Sequence, residues 1–353
     1  MSILSRYLGR EVLSGAMASA LVLTFLGLTG RLVVYLNEAA QGLLAPDLVL
    51  VAILGRIPGA LQIVLPLAFF LGVLLALGRL YADQEASALR ASGAGIGFLA
   101  RALWLPTLGM SLTVAALALY WAPATAGWVS QRLSEAESVA TLNGLAPQRF
   151  QSIGGDAIFF AGDSSAESNQ LLDVFIHQNQ ATPSVIRAER AWQRLDNQSG
   201  QRYLVLENGQ RWTGLPGQAE WSALEFDEYL VRLDVAQTQA KPPRLQARAS
   251  AELQAGNAKE QAQYHWRLAL VLMVPLALAL GLAIGPIAPR AGRWSKFLPG
   301  VVVFICYYGF VNFAQSKQAD GDWPMFIALW PVHLIMLAVI AGLMARNRAR
   351  GHA

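Results

Sequence analysis

Long apolar runs alternate with short charged stretches along the chain, in two groups of three. Val12 to Gly30, Ile57 to Gly78 and Ala102 to Gln131 contain no Asp, Glu, Lys or Arg. The same holds for Leu268 to Pro289, Phe297 to Ser316 and Trp323 to Ala345. A bilayer-crossing helix needs about 20 mainly apolar residues. The pattern therefore predicts six transmembrane helices, three on each side of a polar middle segment. The second run extends back towards Leu48, with Arg56 at its edge. The first run is too long for the core of a cleaved signal peptide and is expected to remain as a span.

Residues 132–263 read differently. Short apolar stretches recur between turn signals, as strands do. Ala157-Ile158-Phe159-Phe160 runs to Gly162-Asp163, and Leu172 to His177 places Val174 and Ile176 on one face. Arg202 to Leu206 runs to Asn208-Gly209, a hairpin-type turn, and Trp221 to Leu233 mixes aromatic and charged residues. This predicts an inserted all-β domain, a sandwich or jelly roll, with a mixed α+β domain as the alternative. Lys241-Pro242-Pro243 and the Gln- and Ala-rich stretch up to Gln263 read as a linker returning to the membrane. The expected division is thus 1–131, 132–263 and 264–353.

Composition agrees with this division. Of 353 residues, 54% are hydrophobic and 14% charged, against roughly 25% charged in a soluble domain. Residues 132–263 carry a net charge of −4 and the flanks +8. The flanking charges are spread along short loops, which argues against a nucleic-acid surface and for membrane topology. Arg6, Arg10, Arg79, Arg90, Arg101, Arg290, Arg293, Lys296, Arg346, Arg348 and Arg350 fall on one side if the spans alternate. That side is expected to be the cytoplasm. Both termini then lie inside, and the middle segment lies outside, in the periplasm of a double-membraned bacterium.

The search for chemistry excludes several classes. The chain has no G-x-x-x-x-G-K-[ST] stretch for ATP, no G-x-S-x-G nucleophile motif and no paired cysteines for a disulfide or a thiolate metal site. Its one cysteine, Cys306, sits in an apolar run. His177, His265, His333 and His352 lack ligand spacing. Asp163-Ser164-Ser165 reads as turn chemistry, and Asn197-Gln198-Ser199 as a chance sequon. The uncharged cores hold no acid for ion coupling. His333 is the only titratable candidate there, and it reads as a helix–helix hydrogen-bonding group.

Three features remain. Ala68, Gly72 and Ala76, and likewise Ala277, Gly281 and Gly285, form small-residue faces on which helices approach closely. The loop from Arg79 to Arg101 contains a helix-forming stretch over 80–90, ending at Ser92-Gly93-Ala94-Gly95. That helix, with its exposed acids, reads either as a docking element or as a solvated connector. Arg31 lies where the first span meets the outer surface. It reads as a snorkelling side chain or as a bidentate contact for an anionic headgroup.

The order of motifs resembles the lipopolysaccharide export permease family LptF/LptG. The stretches that carry the resemblance are Arg6-Tyr7-Leu8 with Arg10-Glu11, Gln62-Ile63-Val64-Leu65-Pro66-Leu67 with Phe70-Leu71-Gly72, and Gly78-Arg79-Leu80-Tyr81 with Glu85. Ser92-Gly93, Trp266-Arg267 and Pro289-Arg290 with Gly292-Arg293 follow. The Gly-Arg-Leu-Tyr stretch and the Pro-Arg-x-Gly-Arg loop favour the LptF branch.

The resemblance implies an α-helical membrane protein with an inserted periplasmic jelly-roll-like domain, in the bacterial inner membrane. It implies a permease subunit of an ABC-type exporter, with no cofactor in this chain and ATP bound by a separate partner. The implied partners are an LptB ATPase dimer, LptG, LptC, and LptA through a periplasmic bridge, with lipopolysaccharide as cargo. Glu85, with Asp83, Tyr81 and Arg79 beside it, is implied in ATPase coupling. Arg31, and Arg267 at the head of the fourth span, are implied in substrate binding. An ion-coupled lipid transporter and a membrane assembly or sensor protein remain as alternatives.

Overall fold

A computed structural model describes residues 3–40, 46–85, 89, 95–143, 148, 150–153, 157–165, 170–179, 182–195, 202–215, 221–233, 245–285, 297–323, 327 and 329–349. The chain divides into two compact units. One joins Met1–Gln131 to Pro243–Ala353, and the other is Arg132–Pro242. The returning stretch after Pro242 thus belongs with the helices, where the sequence pattern had grouped it with the β domain.

Among the described residues, the helical unit has six helices long and apolar enough to cross a membrane. They are Ile3–Ala40, Leu48–Ala82, Ile96–Leu133, Ala258–Ile284, Phe297–Ala319 and Trp330–Ala349. The second is interrupted between Leu54 and Ile57, at Gly55-Arg56. The fourth starts well before the uncharged run at Leu268. A capping box sets that start: the Asn257 side chain accepts from the Glu260 N–H at 3.1 Å, and the Glu260 carboxylate accepts from the Asn257 N–H at 2.9 Å.

The second and fourth spans form the interior. In their most apolar stretches, 50% and 67% of residues are buried within the chain, against 17% for the first and sixth. Both small-residue faces are contact faces. A Cβ on Gly72 would lie 2.4 Å from the Val12 carbonyl oxygen on the first span. Cβ atoms on Gly281 and Gly285 would meet Val73 and Leu77 of the second span at 2.5 and 2.8 Å. Such close approach lets helices pack without a hydrophobic driving force between them. Phe70 stacks on Phe304 at 5.0 Å and extends this core to the fifth span.

Polar side chains tie the later spans together. The Trp266 indole N–H donates to Asn312 at 3.2 Å, and the Gln315 amide donates to Gln263 at 2.9 Å. The Tyr307 hydroxyl and His333 Nδ1 share a hydrogen bond at 2.6 Å, both side chains being buried. His333 is therefore a helix–helix group, as its isolation in the sequence suggests.

In the second unit, six described strands form one antiparallel sheet in sequential order: β1 (Gln151–Ile153), β2 (Ala157–Ser165), β3 (Gln170–Gln178), β4 (Ser184–Leu195), β5 (Arg202–Thr213) and β6 (Ser222–Leu233). The inserted β domain is therefore present. Its described strands meander, whereas a jelly roll crosses between two sheets. Phe159, Val174, Ile176, Ile186, Leu204 and Leu206 lead its buried cluster.

A crease crosses the sheet. Gly162, Asp173, Glu189, Asn208 and Asp227 are aligned on neighbouring strands, and every register skips that row. Asp173 and Asn208 have left-handed backbones, with φ of 49° and 51°. Short polar side chains tolerate that conformation best after glycine. Alternation slips by one residue at the crease. In β4, Ile186 and Ala188 face the core, Glu189 and Arg190 are both exposed, and Ala191 is buried again. Asn208-Gly209 is part of this crease and not a hairpin turn. The Phe226 ring lies so close to Gly209 that a Cβ there would sit 2.5 Å from it.

Candidate functional site

Two ends of the first and second spans carry the candidate residues. At one end, Arg79 donates to Glu11 at 2.9 Å and lies 3.5 Å from Asp83. The pair joins the second span to the first. With side chains 49% and 31% exposed, it is a solvent-screened contact that orients the two helices and adds little to stability. Tyr81 is half-buried against the helical core.

The helix does not run on from 80 to 90. It ends at Ala82, where the Asp83 N–H donates to the Arg79 carbonyl and the Gln84 N–H to that of Tyr81. Gln84 takes a left-handed φ of 60°, and Glu85 follows it in a helical conformation. Arg79 and Tyr81 therefore belong to the span, whereas Glu85 lies beyond the break. Asp83 and Glu85 are both exposed, and Glu85 makes no ion pair with another described residue. Residues 86–88, with Ser87, and 90–94, with Arg90, Ser92 and Gly93, lie outside the described residues. So do the loop bearing Arg290, Arg293 and Lys296, the Asn197 sequon, and Arg350 and His352.

At the other end, Arg31 is exposed and has no ion pair or hydrogen bond to another described residue. Its neighbours Leu32, Val33 and Val34 are exposed too. Arg56 differs. Its Nε donates to the buried Tyr35 hydroxyl at 2.5 Å, and its guanidinium lies 5.8 Å from that ring centre. The sequence pattern singled out Arg56 only as a span edge and did not pair it with Tyr35.

Arg267 has a different place from the one expected of a lipid contact. It is 2% exposed. Nη1 donates to Ser250 Oγ at 2.7 Å, and Nη2 faces the carbonyls of Leu245, Gln246 and Arg248 at 3.3, 3.2 and 3.0 Å. These acceptors leave the guanidinium turned towards its own chain. The partners are mostly backbone oxygens, which no side-chain motif announces.

The chain carries two helix triplets, an inserted antiparallel sheet and exposed acids past a broken helix end. A sequence model of the lipopolysaccharide export system permeases LptF/LptG matches residues 6–346, across both triplets and the sheet. The chain belongs to that family. The lipopolysaccharide export system permease protein LptF of Escherichia coli strain K12 is 26% identical over 350 residues, 96% of this chain and 93% of the relative. The protein of that name from Shigella flexneri matches to the same extent. A multi-pass membrane permease follows from the family and the six apolar helices together.

Proposed function

We propose that the chain is the membrane subunit of an ABC-type exporter that extracts lipopolysaccharide and passes it to a periplasmic β bridge. The observation that supports this most is the family match from residue 6 to 346, which takes in the membrane helices and the β domain alike. In this reading a separate LptB-type dimer hydrolyses ATP, and an LptG-type permease is the second membrane subunit. LptC and LptA form the bridge. Both termini are cytoplasmic, as the eleven basic residues of those loops suggest. Glu85 and Asp83 contact the ATPase, and Glu11 orients Arg79 beside them. Arg31 meets a lipid phosphate, since an exposed guanidinium with no partner among the described residues suits bidentate phosphate geometry. An external energy source is needed because each acyl CH₂ withdrawn from the membrane costs about 0.8 kcal/mol.

The test is co-purification from mild detergent with a tag on this chain, for wild type and Glu85→Lys. The wild type is expected to carry a P-loop ATPase, a second six-span permease and lipopolysaccharide. Glu85→Lys is expected to lose the ATPase and keep the other permease. A chain that purifies alone overturns the exporter reading. Full ATPase binding and full lipid transport by Glu85→Lys remove Glu85 from it.

A further inference from the structure

Pro123 lies inside the third span, where it has no N–H to give. The carbonyl four residues before it, that of Leu119, therefore loses its α-helical donor. The helix responds with a π-helical turn over Leu117–Trp121, a form often found at functional positions. A donor arrives from far along the chain: the Ser250 hydroxyl donates to the Leu119 carbonyl at 2.8 Å. The same hydroxyl accepts from Arg267 on the fourth span. Arg267 also collects the three carbonyls of the returning turn at 245–248. Arg248 pairs in turn with Glu260, the capping-box carboxylate at the head of the fourth span. The Ala247 carbonyl lies 3.5 Å from where a Cβ on Gly127 of the third span would sit.

One buried guanidinium thus joins three segments: the interrupted third span, the stretch returning from the β domain, and the fourth span. It sits about 13 Å along the fourth helix from Ala258, at 1.5 Å per residue. The β unit ends at Pro242 and the helical unit resumes at Pro243, and the knot begins at Leu245, the first described residue after the sheet. We infer that Arg267, through Ser250 and the Leu119 carbonyl, is the clamp that makes the return linker move with the third and fourth spans and so passes their motion to the β domain. Arg267 is a positioning residue in this account, and the lipid touches other groups. The inference rests on the exporter reading above.

The test uses the whole complex in nanodiscs, with ATP hydrolysis, lipid transfer to a soluble β acceptor, and hydrogen exchange of amides 245–256 read together. Arg267→Lys weakens the clamp, because a point charge cannot hold four acceptors in a plane. Pro123→Ala is the second variant. It offers the Leu119 carbonyl a backbone N–H four residues on, which competes with the Ser250 hydroxyl for that oxygen while Arg267 and its acceptors stay in place. Wild type is expected to change its exchange over 245–256 when nucleotide is added. Both variants are expected to assemble and hydrolyse ATP as wild type does, lose that nucleotide-dependent change, and transfer lipid about fivefold more slowly or worse, the lower end of coupling between sites. Transfer and exchange equal to wild type in both variants overturn the inference. Hydrolysis and transfer falling together, with lower thermal stability, make the knot a brace and overturn it as well. A wild-type complex that neither hydrolyses ATP nor transfers lipid overturns the exporter reading instead.

Discussion

The first and fourth spans both pack on the second, yet they are built in opposite ways. The first buries a narrow stripe, Leu8, Val12, Ala16 and Ala20, and leaves Leu13, Met17, Leu21, Phe25 and Leu26 exposed. The fourth is buried nearly all round. Each carries one conspicuous arginine, Arg31 and Arg267, and the family resemblance implies both in substrate binding. The structure separates them by one criterion: whether the chain itself satisfies the guanidinium. Arg267 has four acceptors from its own chain, and Arg31 has none among the described residues. A cation within a membrane protein is thus understood by its partners and not by its place in a span.

The largest effect that sharpens this comparison lies in the packing. Gly72→Leu drives a side chain into the Val12 carbonyl at 2.4 Å and the Ala16 nitrogen at 2.7 Å, both backbone atoms. It is expected to destabilise the bundle by about 3 kcal/mol, the upper range for overpacking. Gly281→Leu meets the Val73 side chain at 2.5 Å and no backbone atom of the second span, and is expected to lose less. Thermal unfolding of the detergent-purified chain, followed by size-exclusion, compares the two. A larger loss at Gly281 reverses the ranking of the two contacts.

Next in size is Arg267→Met, which keeps bulk and removes every donor. A buried acceptor left without its partner costs about 1–3 kcal/mol, so a loss of about 2 kcal/mol is expected in the same assay. No loss means that water reaches the knot and that Arg267 is not the sole donor there.

These contacts differ in how far sequence reveals them. A span declares itself through length and missing charge, with no reference to a partner, so all six helices were legible. The small faces on Gly72 and Gly281 were legible too, because the period of four is local. The Arg267 knot was not. Ser250 and Leu119 are 131 residues apart, and three of the acceptors on Arg267 are carbonyls, which every residue has. One clue was present: Pro123 within an apolar run marks a carbonyl that needs another donor. Four of the six described strands were legible, β6 at nearly its full length and the others too short, whereas β1 and β4 were not read at all. The crease shifts the alternation at Glu189 and Arg190 and borrows the Asn208-Gly209 pair that usually marks a turn. Gln84 hid the broken helix end for a similar reason, since glutamine carries no preference for a left-handed backbone.

Tyr35→Phe tests an intermediate case on the first span. Arg56 is part-buried and holds the Tyr35 hydroxyl at 2.5 Å, while the ring contact survives the change. One hydrogen bond to a charged donor is lost, about 1.5 kcal/mol. The expected shift in unfolding is smaller than for Arg267→Met. An equal or larger shift places Arg56 with the fully engaged arginines.

Arg31→Gln should have the smallest effect on stability and a clear one on the lipid. The side chain is exposed and its removal leaves no described group unpaired, so stability is expected to stay within about 0.5 kcal/mol. If Arg31 grips a phosphate, the loss of one charge-assisted contact, about 1.5 kcal/mol, weakens the phosphorylated lipid roughly tenfold. The measurement is binding of a bis-phosphorylated lipid and of its dephosphorylated form to the purified permease complex. Wild type is expected to prefer the phosphorylated form and Arg31→Gln to lose most of that preference. Arg31→Lys should recover part of it, because an ammonium supplies the charge without the bidentate fork. Equal preference in all three proteins makes Arg31 a snorkelling side chain. The comparison would then run between a satisfied arginine and one that merely reaches water.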